Sequence, residues 1–336
     1  MTRRAGPFVR LGTALALVVC LHDTSAATTQ WFGSRRERVT EASIRGHMEM
    51  LASDAMNGRA SGTRDEWVAA VYIGSQLRRW GLTPLGDDEG FVQAVDIPPG
   101  PNPGRRPART WNAIGKIEGR NPSRRGEVIL LSAHLDHLGV RGDASDRIFN
   151  GADDDASGST AVLEFARVLA SGRRPERTVI FVWFGSEEIG GFGARHFLEH
   201  PPVPLASIVA NLEFEMIGRP DPLLPPRTAW LAGYERTTLG DALAAHGARL
   251  VADPHPEQRF FLRSDNIALA RRGVVAQGLS SYGLHQQYHT PQDDLAHIDF
   301  AHMTAIVRSL VGPIEWLANS SFVPAWRPGG QPGPTG

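Results

Sequence analysis

Cysteine, lysine and long apolar runs are nearly missing from this chain. Cys20 is the single cysteine in 336 residues, so no internal disulfide can staple the fold. A chain this long can bury a sizeable core without one. Lys116 is the single lysine among 35 basic residues, which we read as the codon bias of a GC-rich genome and not as Arg-mediated recognition. Set against 36 acidic residues, these leave a net charge of −1, which argues against both a nucleic-acid binder and an acidic disordered chain. The longest apolar run, Leu11 to Leu21, falls well short of the roughly 20 residues needed to span a bilayer.

That run sits between Arg3, Arg4 and Arg10 on one side and Thr24-Ser25-Ala26-Ala27 on the other, the layout of a secretory signal peptide over residues 1–26. Export to the periplasm or beyond is therefore expected. A lipid anchor on Cys20 is disfavoured, because Val19 is bulky where a lipoprotein box takes a small residue. We expect one domain at 27–322, with a helical and loop part at 27–110 and a core at 111–322, followed by a disordered Pro/Gly tail at 323–336.

Thr63 and Glu66 read as a capping box opening a helix, with Trp67, Ala70, Val71, Gly74 and Leu77 at helical spacing and Gly81 closing it. Five prolines within 98–109 mark a loop. Apolar runs at 127–133 and 178–184 predict buried strands, and 207–214 carries strand periodicity. Residues 229–232 and 273–279 are further strand candidates. Helices are expected over 155–169, 235–246 and 300–317, the last with a kink at Pro313. This alternation predicts an α/β fold: a mixed, mostly parallel twisted sheet with helices on both faces, in three αβα layers.

Ligands in open α/β sheets bind at the carboxyl ends of strands. Here those ends carry His134-Leu135-Asp136, then Asp153-Asp154-Asp155 ahead of a helix, Glu187-Glu188, and Glu213-Phe214-Glu215, with Tyr288-His289-Thr290-Pro291 later on. Imidazoles mixed with carboxylates suit zinc, with Mn²⁺ or Co²⁺ as workable substitutes. Two Zn²⁺ would be balanced by three carboxylates and one hydroxide, leaving a further carboxylate free for proton work. Such ions bring the pKa of water to about 7, so a nearby carboxylate can take its proton. The chemistry implied is metal-assisted hydrolysis of an acyl bond.

Taken in order, His134-Leu135-Asp136, Gly151 to Gly158 (GADDDASG), Ser186-Glu187-Glu188, Asn211 to Met216 (NLEFEM) and Tyr288 to Asp294 (YHTPQDD) resemble the co-catalytic dizinc aminopeptidases of the bacterial leucyl aminopeptidase type. Their clan also holds glutamate carboxypeptidases and glutaminyl cyclases. The resemblance covers roughly residues 40–320 and takes in Met50 to Asp54, Gly58-Arg59 and Ser264-Asp265. It implies two zinc ions per chain, one on His134 and Glu215, the other on Glu188 and His289, bridged by Asp154. It implies Glu187 as general base and then acid, and Asp136 as the group that orients His134. The substrate implied is a peptide or small amide with a free N-terminus. A carboxypeptidase or dipeptidase, a glutaminyl cyclase and a non-catalytic binding domain remain open on the same scaffold.

Three positions depart from the family pattern: Glu215 where Asp is usual, Asn266 where many relatives carry His, and Phe261 near a position where some carry an oxyanion-binding Tyr. Glu213 rivals Glu215, and Tyr282 or Tyr288 could replace the missing hydroxyl. His196 and His200 are expected at a solvated helix end. His285 is a candidate for lining the site. His137, His246, His255 and His297 are expected on loops or the surface. Asp155 is expected to cap the following helix. Arg59 and Arg263 are read as salt-bridge partners before substrate contacts.

Overall fold

In this computed structural model, residues 37–98 and 108–333 are described, together with Met1, Thr2 and Gly6. The chain divides into two units, Met1–Gly33 and Ser34–Gly336, and every element named below belongs to the second. The signal peptide expected at 1–26 and most of the proline-rich loop lie outside the described residues.

The second unit opens with α1 (Glu41–Leu51) and α2 (Arg64–Arg79), then β1 (Thr83–Pro84), β2 (Val92–Ile97), β3 (Ala108–Ile117) and β4 (Val128–His134). A small ribbon, β5 (Gly139–Val140) with β6 (Ile148–Phe149), precedes α3 (Gly158–Ser171), β7 (Thr178–Phe184), α4 (Phe192–Glu199) and β8 (Ile208–Phe214). The remainder is β9 (Ala229–Leu231), α5 (Leu239–Ala245), β10 (Leu250–Ala252), α6 (Asn266–Ala270), β11 (Ala276–Ser280) and α7 (Phe300–Asn319).

Among the described residues the main sheet has nine strands, ordered β1-β3-β7-β4-β8-β11-β9-β10, with β2 paired to β3. The centre, β7-β4-β8-β11, is parallel. Both flanks bring in antiparallel pairs, so the sheet is mixed, as expected. Strand alternation sorts the core in two. Ile129 and Leu131 of β4 join Val179, Phe181 and Trp183 of β7 on one face, beneath α1, α2, α3 and α7. Val128 and Leu130 join Ile180, Val182 and Phe184 on the other, beneath α4 and α6. Burying both faces explains why these strands read as unbroken apolar runs.

Several local expectations differ from the structure. The buried stripe of α2 is Glu66, Ala69, Ala70, Ile73, Gly74 and Leu77, leaving Trp67 and Val71 outside. Thr63 Oγ1 does accept from the Glu66 amide, but the Glu66 carboxylate turns to Gly62 N and Thr110 Oγ1 instead of closing the box. The helix expected from 155 starts at Gly158, after a wide turn over Ala152–Ser157. Residues 323–333, expected as disordered tail, are pinned to the body. Trp326 Nε1 donates to Gly273 O at 3.0 Å and Arg327 Nε donates to Thr237 O at 2.9 Å.

Candidate metal centre

Strand ends place the chemistry. β4 stops at His134, β7 just before Ser186-Glu187-Glu188, and β8 just before Glu215. These three strands are parallel neighbours, so their carboxyl ends open on the same edge. Three residues there take left-handed backbone conformations that only glycine adopts freely: Ser186 (φ 63°), Met216 (φ 50°) and His289 (φ 56°). Each lies within a residue of, or is itself, one of the groups singled out from the sequence. Such strain clusters where surrounding structure fixes a functional geometry.

Two groups of donors converge. His134, Asp154 and Glu215 form one, and His137, Asp154 and Glu188 the other, the chosen atoms of each lying within 4.8 Å of one another. His134 Nε2 is 3.1 Å from Asp154 Oδ1 and 3.5 Å from Glu215 Oε1. His289 Nε2 is 3.1 Å from Asp154 Oδ2 and 3.3 Å from Glu188 Oε2. Asp154 thus turns one oxygen to each group. All five residues expected as ligands meet at this point, and His137 joins them.

The residues fit metal ions. His289 Nε2, Glu188 Oε1 and both ring nitrogens of His137 have no hydrogen-bond partner among the described residues, although they are close together. Buried polar atoms left this way are costly unless something else takes their lone pairs. Electrostatics agree. Burial disfavours a charged His134, yet Glu215, Asp136 and Asp154 outweigh it and raise its pKa well above the ordinary value. His289 is likewise pushed up to about 9, Asp154 and Glu188 overcoming its burial. Burial works against ionised Asp154, but His137, His134 and His289 hold it well below the carboxylate range. The cluster therefore favours positive charge at its centre, which a divalent cation supplies.

Glu187 lines the cavity with Asp154 and Glu215 and belongs to neither group. Burial raises its pKa well above the ordinary value, with His134 pulling the other way and Glu215 and Asp265 adding to the rise. Asp136 lies beside His134, the ring it is expected to orient, and also holds a turn. Its Oδ1 is 3.6 Å from His134 Nδ1, beyond hydrogen-bond length. Its oxygens accept from Glu187 N at 3.0 Å, Glu188 N at 3.4 Å and Ser61 Oγ, so it anchors the turn that carries Glu187.

Neighbouring carboxylates are spent on structure. Asp153 accepts from Gly218 N at 2.7 Å and faces His285 Nε2 at 3.0 Å, which gives His285 a bracing place. Asp155 accepts from Gly158 N, Met216 N and His134 N, tying three site segments together, while the N-cap position of α3 expected for it falls to Ser157. Asp293 accepts from Asp153 N and Asp154 N. Glu213 is fully buried and accepts from Ser264 Oγ and Asn266 N, outside both donor groups, whereas Glu215 is in one.

A cavity of ≈ 80 Å³ adjoins Asp154, Glu187 and Glu215, walled by Met216, Trp230, Phe260, Tyr282 and Tyr288. Both tyrosines named as hydroxyl donors are therefore present. Tyr288 stacks on the His289 ring at 3.9 Å. Phe261 is turned away, buried beside Trp326, while Phe260 takes the wall. Arg263 lies at the rim over the Phe260 ring. Arg59 is fully buried and donates to the carbonyls of Leu51, Leu135, Asn150 and Gly151, with no salt bridge among the described residues and away from the cavity. His196 and His200 lie together at the end of α4, their rings tilted at 4.6 Å. His255, expected on a loop or the surface, lies on a loop but is buried 2.7 Å from Asp221 Oδ2. His137 is the functional candidate the sequence reading passed over. Its only signal was its place one residue after Asp136.

Residues 112–311 match Peptidase family M28. The chain is 28% identical over 245 residues to leupeptin-inactivating enzyme 1 of Streptomyces exfoliatus, a match covering 71% of this chain and 49% of that protein. The chain thus spans about half the length of that relative. In fold it is similar to an aminopeptidase from Aneurinibacillus sp. strain AM-1 (TM-score 0.65, 14% identity, 86% of this chain and 97% of that one). It is also similar to a zinc aminopeptidase from Bacillus subtilis (TM-score 0.61, 14% identity, 84% and 96%). With more than half of its length inside the matched region, and the expected residues gathered at one edge of the sheet, the chain belongs to Peptidase family M28.

Proposed function

We propose that this protein is an exported dizinc aminopeptidase that removes N-terminal residues from peptides. One observation carries the reading: two donor groups share Asp154, with Glu187 beside them on the same cavity and in neither group. Zinc held there would supply Lewis acidity for the scissile carbonyl and for the attacking water. His134, Glu215 and Asp154 would hold one ion; Glu188, His289 and Asp154 the other. A Glu187 carboxylate oxygen takes the proton from water and passes it to the leaving amine nitrogen. Asp136 holds Glu187 in place through the Glu187 amide, 3.0 Å away. The aromatic wall would accept an apolar side chain, with Tyr282 and Tyr288 among the residues that line it. Export rests on the sequence of residues 1–26.

The test uses purified protein, a peptide with a free N-terminus, its N-acetylated twin and a chelated control. Release of the first residue from the free peptide alone, abolished by chelation, is the expected result. Cleavage of both peptides would move the assignment to a carboxypeptidase or endopeptidase. Cleavage of neither, by protein loaded with two zinc ions, would refute peptide aminopeptidase activity.

A further inference from the structure

His137 follows β4 by three residues. Its amide donates to Arg59 O at 3.1 Å, which fixes the backbone, and its ring is fully buried. The ring points into the site. Nδ1 is 2.7 Å from Glu188 Oε1 and 3.8 Å from Asp154 Oδ2, and the ring meets His289 edge-on at 5.6 Å. No hydrogen bond satisfies either ring nitrogen among the described residues. The chain also makes room for it. Gly151 takes φ +59°, and a Cβ there would run into the His137 ring. A buried imidazole whose Nε2 meets no partner among the described residues and whose Nδ1 meets only a carboxylate oxygen is expensive unless it serves a ligand.

We propose that His137 is a further ligand of the ion held by Asp154, Glu188 and His289. The two ions would then be unequal, one on two imidazoles and two carboxylates, the other on a single imidazole and two carboxylates. Imidazole-rich sites suit zinc better than hard cations, so the ion on the His137 side fills first and leaves last. This inference rests on the two-ion reading above.

The experiment takes the full chain stripped of metal and loaded with Co²⁺. Proton NMR of the cobalt form shows strongly shifted, exchangeable ring N–H resonances, one from each coordinated imidazole. Three are expected, from His134, His137 and His289, falling to two in His137→Gln. The tighter Co²⁺ step should weaken in that variant by more than the roughly 10–100-fold that losing an outer hydrogen bond costs. The melting temperature of the metal-free variant checks its fold, and His137→Asn serves if the Gln variant does not fold. Two shifted resonances in both wild type and variant would overturn the proposal and leave His137 as a positioning residue for Glu188. Uptake of fewer than two Co²⁺ by the wild type would overturn the two-ion reading and this inference with it.

Discussion

Asp153 and Asp154 are adjacent in the chain and both are buried, yet they are used in opposite ways. Asp153 spends its oxygens on Gly218 N, Ser157 Oγ and His285 Nε2, as a bracing group does. Asp154 instead faces His134, His137 and His289, with imidazole nitrogens at 3.1–3.8 Å. A buried carboxylate wrapped in amide donors is part of the scaffold. One that gathers imidazoles and other carboxylates around a common point has a charge to share with something else. Asp155 and Asp293 fall on the scaffold side; Glu188 and Glu215 fall on the other.

The comparison breaks most visibly at Glu187, which lines the cavity without joining either donor group. Glu187→Gln should keep the zinc and lose turnover by at least about 10²-fold, the low end for losing a general base. Zinc analysis beside steady-state kinetics checks this, and full activity in a metallated variant would remove Glu187 from the chemistry. Next in size is the pair of neighbours. Asp154→Asn should lower bound zinc from two ions toward one or none, and activity with it. Asp153→Ala should leave zinc content alone but strip Gly218 N of its acceptor, costing about 1–3 kcal/mol and several degrees of melting temperature. If both variants lost metal equally, the division between scaffold and ligand would not hold.

The centre of the fold was legible because both faces of β4 and β7 are buried, leaving runs such as residues 178–184 with no polar interruption. β2 and β3 were not legible. β3 places Thr110 and Asn112 in fully buried positions, satisfied by Glu66 and by Gly185 and Gly193, so its pattern is polar where a strand should be apolar. The binding edge was legible because ligand types sit at strand ends in the family's order. His137 was not, since a histidine after His-Leu-Asp looks like loop until Gly151 and Glu188 are seen around it. The tail misled for a related reason. Proline and glycine dominate its composition, but Ala325, Trp326, Arg327 and Gly330 hold it to the body through a set of specific hydrogen bonds.

Asp136 belongs to both sides of the comparison, which makes it the finest test. Its oxygens are occupied like those of a scaffold carboxylate, yet what they hold is the turn carrying Glu187 and Glu188. Ser61→Ala removes one donor to Asp136 and leaves both backbone amides in place. A hydrogen bond of this kind is worth roughly 0.5–1.5 kcal/mol net. If the bond only stabilises the fold, the melting temperature falls slightly and kcat is untouched. If Asp136 keeps Glu187 aimed, kcat falls about two- to tenfold with zinc content and KM unchanged, because that energy is felt at the transition state. We expect the second outcome. Ser61 touches neither donor group nor the cavity, so a drop in kcat could reach Glu187 only through the Asp136 carboxylate.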